Sequence, residues 1–139
     1  MLKKGVLVAG ILALTTCWTA PVTSDQLDLT KWSDQVKLGE KVFKKCKSCH
    51  SVNKNKMGPS LENLFGRTAG TFEGYKYSKA MRNSEIVWNE ETLKKFLKKP
   101  SKFIKGNKMR FRGIRKEEQL DGIIAYLKLK LGFEALKIE

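Results

Sequence analysis

The pentapeptide Cys46-Lys47-Ser48-Cys49-His50 holds two of the chain's three cysteines and its only histidine. Cys-x-x-Cys-His is the spacing at which c-type haem is attached. Two thiols three residues apart can each form a thioether to one haem vinyl group. The adjacent imidazole then lies against the porphyrin face and binds iron. A cofactor held in this way cannot leave, so the rest of the chain must fold around it. Other readings compete at this point. A structural zinc site takes four Cys or His ligands. Beyond the pentapeptide the chain offers only Cys17, which lies in a hydrophobic leader, so zinc would need a carboxylate. A thioredoxin-like dithiol belongs beside a βαβ pattern, and no strand alternation is present. A chance match is the last alternative.

The leader bears on the choice. Lys3 and Lys4 precede an uncharged run from Gly5 to Ser24, the pattern of a basic region followed by an apolar export core. Residues 1–24 are therefore read as a signal peptide or an N-terminal membrane anchor. Cleavage fits best after Ser24 and less well after Ala20, because Pro21 follows. An uncleaved anchor is also consistent, since a spanning helix needs about 20 largely uncharged residues. Lipid attachment at Cys17 is a third fate, although Thr16 stands where a lipobox carries a small residue. All three place the globular part on the periplasmic side of a bacterial inner membrane, where c-type haem is attached. The 139-residue chain has a formal net charge of +14, which implies an acidic partner surface. Export argues against nucleic acid as that partner.

Residues 25–35 read as a linker, and residues 36–139 as one domain. A helix is expected from near Ser33, with Val36, Gly39, Val42, Phe43 and Cys46 on one face. Gly39 in its interior costs about 1 kcal/mol against Ala, which a close approach by another helix would explain. A second helix follows the capping residue Asn89 and stops at Pro100. A third runs from about Lys116 to Leu131, with Leu120, Ile123, Ile124, Leu127 and Leu131 on its apolar stripe and no good N-cap. Between His50 and Trp88, and again from Pro100 to Gly113, periodicity is weak apart from an expected short helix at Ser60–Phe65. Loops of this length argue against a compact domain unless they wrap something. A porphyrin would supply the core that three helices in about 110 residues cannot easily provide.

With a single histidine, two-histidine ligation within the chain is excluded. Met1 is in the leader, and Met57 follows His50 too closely to reach the opposite haem face easily. Met81 and Met109 remain. Met109 sits in the glycine-bearing loop Lys105-Gly106-Asn107-Lys108-Met109, where the backbone can present a thioether to iron. The competing reading is a gap-filling core methionine.

Taken in order, the segments resemble class I cytochrome c, in particular its mitochondrial and bacterial cytochrome c2-like group. They are Cys46–His50, Gly58-Pro59-Ser60-Leu61, Leu64-Phe65-Gly66-Arg67, Tyr75-Lys76-Tyr77, Trp88 with Glu90-Glu91-Thr92-Leu93, Gly106 to Met109, and Asp121 to Lys128. The resemblance spans roughly residues 36–130. It implies an all-α class I cytochrome c fold, with N- and C-terminal helices crossing and loops wrapping one covalent haem c held through Cys46 and Cys49. It further implies that His50 and Met109 bind the iron. The Pro59 carbonyl would accept from the His50 ring, and Arg67, Tyr77 and Trp88 would serve the haem propionates. Asn107, standing where the family commonly has Thr, would keep part of that bonding. Phe111 would pack beside the haem edge. Gly39 and Phe43 would meet Tyr126 and Ile123 at the helix crossing. Two departures are notable. Phe96 and Met81 replace a Tyr and an Asn common in the family, removing polar groups on the distal side.

The implied function is a monomeric one-electron carrier, not an enzyme, that shuttles electrons between respiratory complexes. Lys44, Lys45, Lys47, Lys102, Lys105, Lys108, Arg110 and Arg112 would form a lysine-rich haem edge. That edge would dock on acidic redox partners such as a quinol–cytochrome c reductase and a terminal oxidase. The alternative is a haem enzyme or gas-binding sensor with an open sixth site. A basic zinc or nucleic-acid-binding module is more remote.

Overall fold

The structure, a computed structural model, describes residues 24–132, with side chains from residue 29 onward. The leader and the last seven residues lie outside that range. Five helices are present among the described residues. They are α1 (Ser24–Phe43), α2 (Lys79–Arg82), α3 (Glu90–Lys98), α4 (Pro100–Phe103) and α5 (Glu117–Lys130). Pairing between extended segments is limited to one isolated bridge, Thr68 to Val87. The fold is mostly helical, as expected. None of the described helices is long and apolar enough to cross a membrane.

The contact between α1 and α5 is the most extensive between any two helices. Its cause is a pair of glycines. A Cβ on Gly39 would stand 1.9 Å from the Gly122 carbonyl oxygen and 2.6 Å from Tyr126 Cβ. A Cβ on Gly122 would stand 2.9 Å from the Gln35 carbonyl oxygen. Backbones this close leave no room for side chains, so Gly39 is where the intrahelical penalty is offset by packing. Beside the crossing, the Phe43 and Tyr126 rings lie 5.2 Å apart, and Ile123 is fully buried.

α1 begins at Ser24 rather than near Ser33, so the whole stretch read as a linker, residues 25–35, is helical. Nothing in residues 25–32 forbids helix: no Pro or Gly interrupts them. Their lack of an apolar stripe hid the continuation.

Asn89 caps α3 as expected, and the cap is reciprocal. Its Oδ1 accepts from the Thr92 N–H at 2.9 Å, while Thr92 Oγ1 accepts from the Asn89 N–H at 2.9 Å. Leu93, Phe96 and Leu97 are buried beneath it. Pro100 both follows the end of α3 and opens α4 at its first position, where its missing N–H is harmless. α5 carries no side-chain cap at Lys116, and it ends at a positive-φ Gly132.

The expected helix at Ser60–Phe65 does not form. Asn63 takes a positive φ of 49°. Ser60 Oγ donates to the Val52 carbonyl at 2.7 Å and accepts from the Glu62 N–H. Local side-chain bonds of this kind compete with helix bonds. Instead α2 forms, one turn capped by Ser78 Oγ, which accepts from the Met81 N–H at 3.1 Å. A single turn is too short for periodicity to reveal.

Candidate functional site

α1, α3, α5 and the long loops enclose one cavity of about 310 Å³. Its walls are largely carbon: Phe43, Leu64, Leu93, Leu97, Ile123 and Leu127. Set into these walls are Cys46, Cys49, His50, Pro59, Arg67, Tyr77, Trp88 and Met109. The fold thus gathers onto one surface residues spread over more than sixty positions of sequence.

The pentapeptide continues directly from α1. The Cys46 carbonyl accepts from the N–H groups of Cys49 and His50 at 3.0 and 2.9 Å. This extra turn fixes both thiols and the imidazole relative to the α1–α5 crossing. His50 Nδ1 lies 2.8 Å from the Pro59 carbonyl oxygen. A carbonyl can only accept, so the proton sits on Nδ1 and Nε2 keeps its lone pair for a metal. Burial lowers the imidazole pKa, with the Pro59 bond acting in the opposite direction. Gly58 packs flat on this ring: a Cβ there would meet His50 Cε1 at 2.4 Å. Sequence reasoning gave Gly58 no such role, although its place before Pro59 was a signal.

Cys46 and Cys49 form no disulfide with each other. Burial, reinforced by Cys49, pushes the Cys46 thiol up to about 11. A thioredoxin-like dithiol belongs beside a βαβ pattern, and the described residues form helices and one isolated bridge, so that reading does not fit. Zinc fits no better. Among the described residues, no three His, Cys, Asp or Glu side chains converge as a metal site. Two thiols and an imidazole lining the same cavity suit haem, whose vinyl groups and iron are separate targets.

The remaining candidates divide. Arg67 donates to the Ser60 carbonyl at 3.0 Å and to the Glu62 carbonyl. Its guanidinium lies 4.7 Å from the centre of the Phe72 ring. Burial lowers the Arg67 pKa and raises that of Tyr77. Trp88 is 6% exposed, and its indole N–H has no acceptor among the described residues. An unpartnered buried donor on the cavity wall is what an anionic cofactor edge would satisfy. Met109 is half-buried on the same cavity. Met81 and Phe96, the two departures, are buried and line it too. Met57 is 76% exposed, with its sulfur 3.9 Å from Cys49 Sγ, on the attachment side of the cavity.

Asn107 and Phe111 are not part of the lining. Phe111 packs against the core from a half-buried position. The Asn107 side chain bonds to its own loop: Nδ2 donates to the carbonyls of Pro100 and Ile104, and Oδ1 accepts from the Met109 N–H.

The cytochrome c family profile matches residues 36–129. The chain belongs to the cytochrome c family. Its fold is that of class I cytochrome c, its cofactor is a covalent c-type haem at Cys46 and Cys49, and it is a haem-based electron carrier. This cytochrome is 50% identical over 97 residues to cytochrome c of Sesamum indicum, covering 67% of this chain and 87% of that protein. It is 47% identical over 93 residues to cytochrome c2 of Blastochloris viridis, covering 65% and 73%. Among solved structures, cytochrome cH from Methylobacterium extorquens superposes with a TM-score of 0.65 at 42% identity, covering 68% of this chain and 97% of that one.

Proposed function

We propose that His50 and Met109 are the two axial ligands of the haem iron, and that the protein shuttles single electrons between respiratory complexes. The observation that carries this reading is one carbon-walled cavity lined by both a Pro59-oriented imidazole and the Met109 thioether. Bound there, the haem supplies a one-electron Fe(II)/Fe(III) couple, whose potential Met/His ligation raises. The protein's own contribution is positional. Gly58 and Pro59 hold the ring plane of His50. Arg67, Tyr77 and Trp88 would serve the haem propionates as donors, since burying those anions without donors would be costly. The apolar walls exclude water from the iron.

The charge distribution supports docking on acidic partners at the haem edge. Asp121, Glu117, Glu90 and Glu91 are paired with Lys94, Lys98, Lys128 and Lys95 on α3 and α5. Lys44, Lys45, Lys47, Lys102, Lys105, Lys108, Arg110 and Arg112 have no carboxylate within ion-pair distance among the described residues. Lys108 and Arg110 border the cavity itself. Unpaired cations there favour brief, steered encounters of a monomer with a quinol–cytochrome c reductase or a terminal oxidase. Residues 1–24 act as an export signal or anchor, placing the carrier on the periplasmic side of a bacterial inner membrane.

The decisive experiment is Met109→Ala in the haem-loaded protein. The near-infrared Met–Fe(III) band disappears, and the Fe(II) form gains rapid carbon monoxide binding. A wild-type protein that lacks the band and binds carbon monoxide at once is the gas-binding sensor or haem enzyme instead. Electron transfer to acidic partners slows steeply as salt rises; a flat response removes the docking surface. Intact mass of protein from membrane and soluble fractions reads the fate of the leader.

A further inference from the structure

We infer that Asn107 is a positioning residue for the sixth ligand: its side-chain amide clamps the Met109 backbone to the end of α4. The inference rests on Met109 being an iron ligand. Three hydrogen bonds define the clamp. Nδ2 donates to the Pro100 carbonyl at 2.8 Å and to the Ile104 carbonyl at 2.7 Å. Oδ1 accepts from the Met109 N–H at 2.8 Å. The amide orientation follows from chemistry. Turned over, the oxygen would face two carbonyls and the NH2 would face an N–H, so every contact would be repulsive.

The α4 end of the clamp is anchored in the core. Pro100 is fully buried, and Ile104 is 5% exposed. The Ile104 carbonyl also accepts from the Asn107 N–H at 3.2 Å. The intervening turn passes through Gly106 at a φ of +85°, where an added Cβ would lie 3.2 Å from Ala80 Cβ. Met109 therefore leaves a turn fastened to core at one side and to Asn107 at the other. Among the described residues, no hydrogen bond reaches the Met109 sulfur. Phe96, buried on the same cavity, has no polar side-chain atom. The position of the sulfur is thus set from the backbone side.

No other residue type supplies two donors and one acceptor at this length. Asn107→Asp keeps the size and the acceptor but turns an anion toward two carbonyls. Asn107→Leu keeps the size and removes all three bonds. The test compares these two variants with wild type and Met109→Ala, all as haem-loaded full chains. Added imidazole is the probe, since it competes with Met109 for Fe(III). Thermal unfolding is measured alongside.

Met109→Ala must bind imidazole far more tightly than wild type. If it does not, the ligand reading falls and takes the clamp with it. Given that result, both Asn107 variants should bind imidazole about tenfold more tightly and lose intensity in the near-infrared band, the scale expected for losing a net hydrogen bond or two. Unchanged imidazole affinity with lowered thermal stability means a structural role only and overturns the proposal. Should a variant fail to mature with haem, hydrogen exchange in the wild-type holoprotein decides. A protected Met109 amide supports the clamp, and one exchanging at the rate of an open loop overturns it.

Discussion

At the α1–α5 crossing two backbones touch, whereas between His50 and Trp88 the chain leaves a cavity open. The crossing is built from regular helices and closes on itself: Gly39 against Gly122, and Phe43 against Tyr126. The loop wall has almost no regular structure. It is held by side chains bonding to carbonyls, such as Ser60 to Val52, Arg67 to Ser60, and Tyr75 to Met57. The crossing is complete with protein atoms alone. The loop wall has apolar faces and a donor, Trp88, that remain for a cofactor to meet. One region supplies the fixed frame, and the other supplies a surface whose partner is covalently added. The pentapeptide joins them, because its turn continues α1 while its thiols and imidazole face the loops.

The sharpest way to break this contrast is Gly39→Ala. At the crossing the added Cβ meets a backbone carbonyl at 1.9 Å, and backbone cannot rotate away. A loss of about 3 kcal/mol is expected, at the upper end for overpacking. Denaturant unfolding of the holoprotein measures it. A loss below about 1 kcal/mol would mean that the helices slide apart cheaply and that the frame is not rigid.

Gly58→Ala puts a comparable clash on the loop side, where the obstacle is the His50 ring rather than backbone. A ring can tilt, so the expected loss is smaller, about 2 kcal/mol. The cost appears elsewhere. Tilting the imidazole strains its 2.8 Å bond to Pro59 and shifts the visible haem spectrum. An unchanged spectrum with wild-type stability would show that the loop simply moves back, making the wall softer than the contacts indicate.

The same contrast explains what could be read from sequence. The pentapeptide, the stripe on α5, the Asn89 cap and the demand for a helix near Gly39 are local or periodic signals, and each has a counterpart in the fold. The gathering of Arg67, Tyr77, Trp88 and Met109 around one cavity was reached through family resemblance, because no period links residues so far apart. Three features escaped. The start of α1 was hidden because residues 25–32 carry no apolar stripe. The turn at Ser60–Phe65 depends on Asn63 adopting a positive φ and on Ser60 reaching Val52, neither of which composition reveals. The resemblance gives the Asn107 amide part of the propionate bonding, and says nothing of the hydrogen bonds by which it fastens the Met109 loop. A side chain's partners are set by the turn it sits in, and that turn is not written in the spacing.

The smallest effect tests whether the ion-paired side of the molecule is structural or merely neutralised. Lys94 pairs with Asp121 between α3 and α5, and both side chains are more than a third exposed, at 38% and 39%. Exposed pairs contribute little, because Coulomb attraction is weak in water and two long side chains must be ordered. A double-mutant cycle of Lys94→Ala and Asp121→Ala should give a coupling of about 0.5 kcal/mol at low salt, vanishing near 1 M salt. The cycle also separates two uses of lysine. If the paired lysines only cancel acids, Lys94→Ala leaves the salt dependence of electron transfer unchanged, whereas Lys108→Ala weakens it. A coupling well above 1 kcal/mol, or a salt slope that follows Lys94, would make α3 and α5 part of the docking field and erase the division between a paired frame and an unpaired cavity rim.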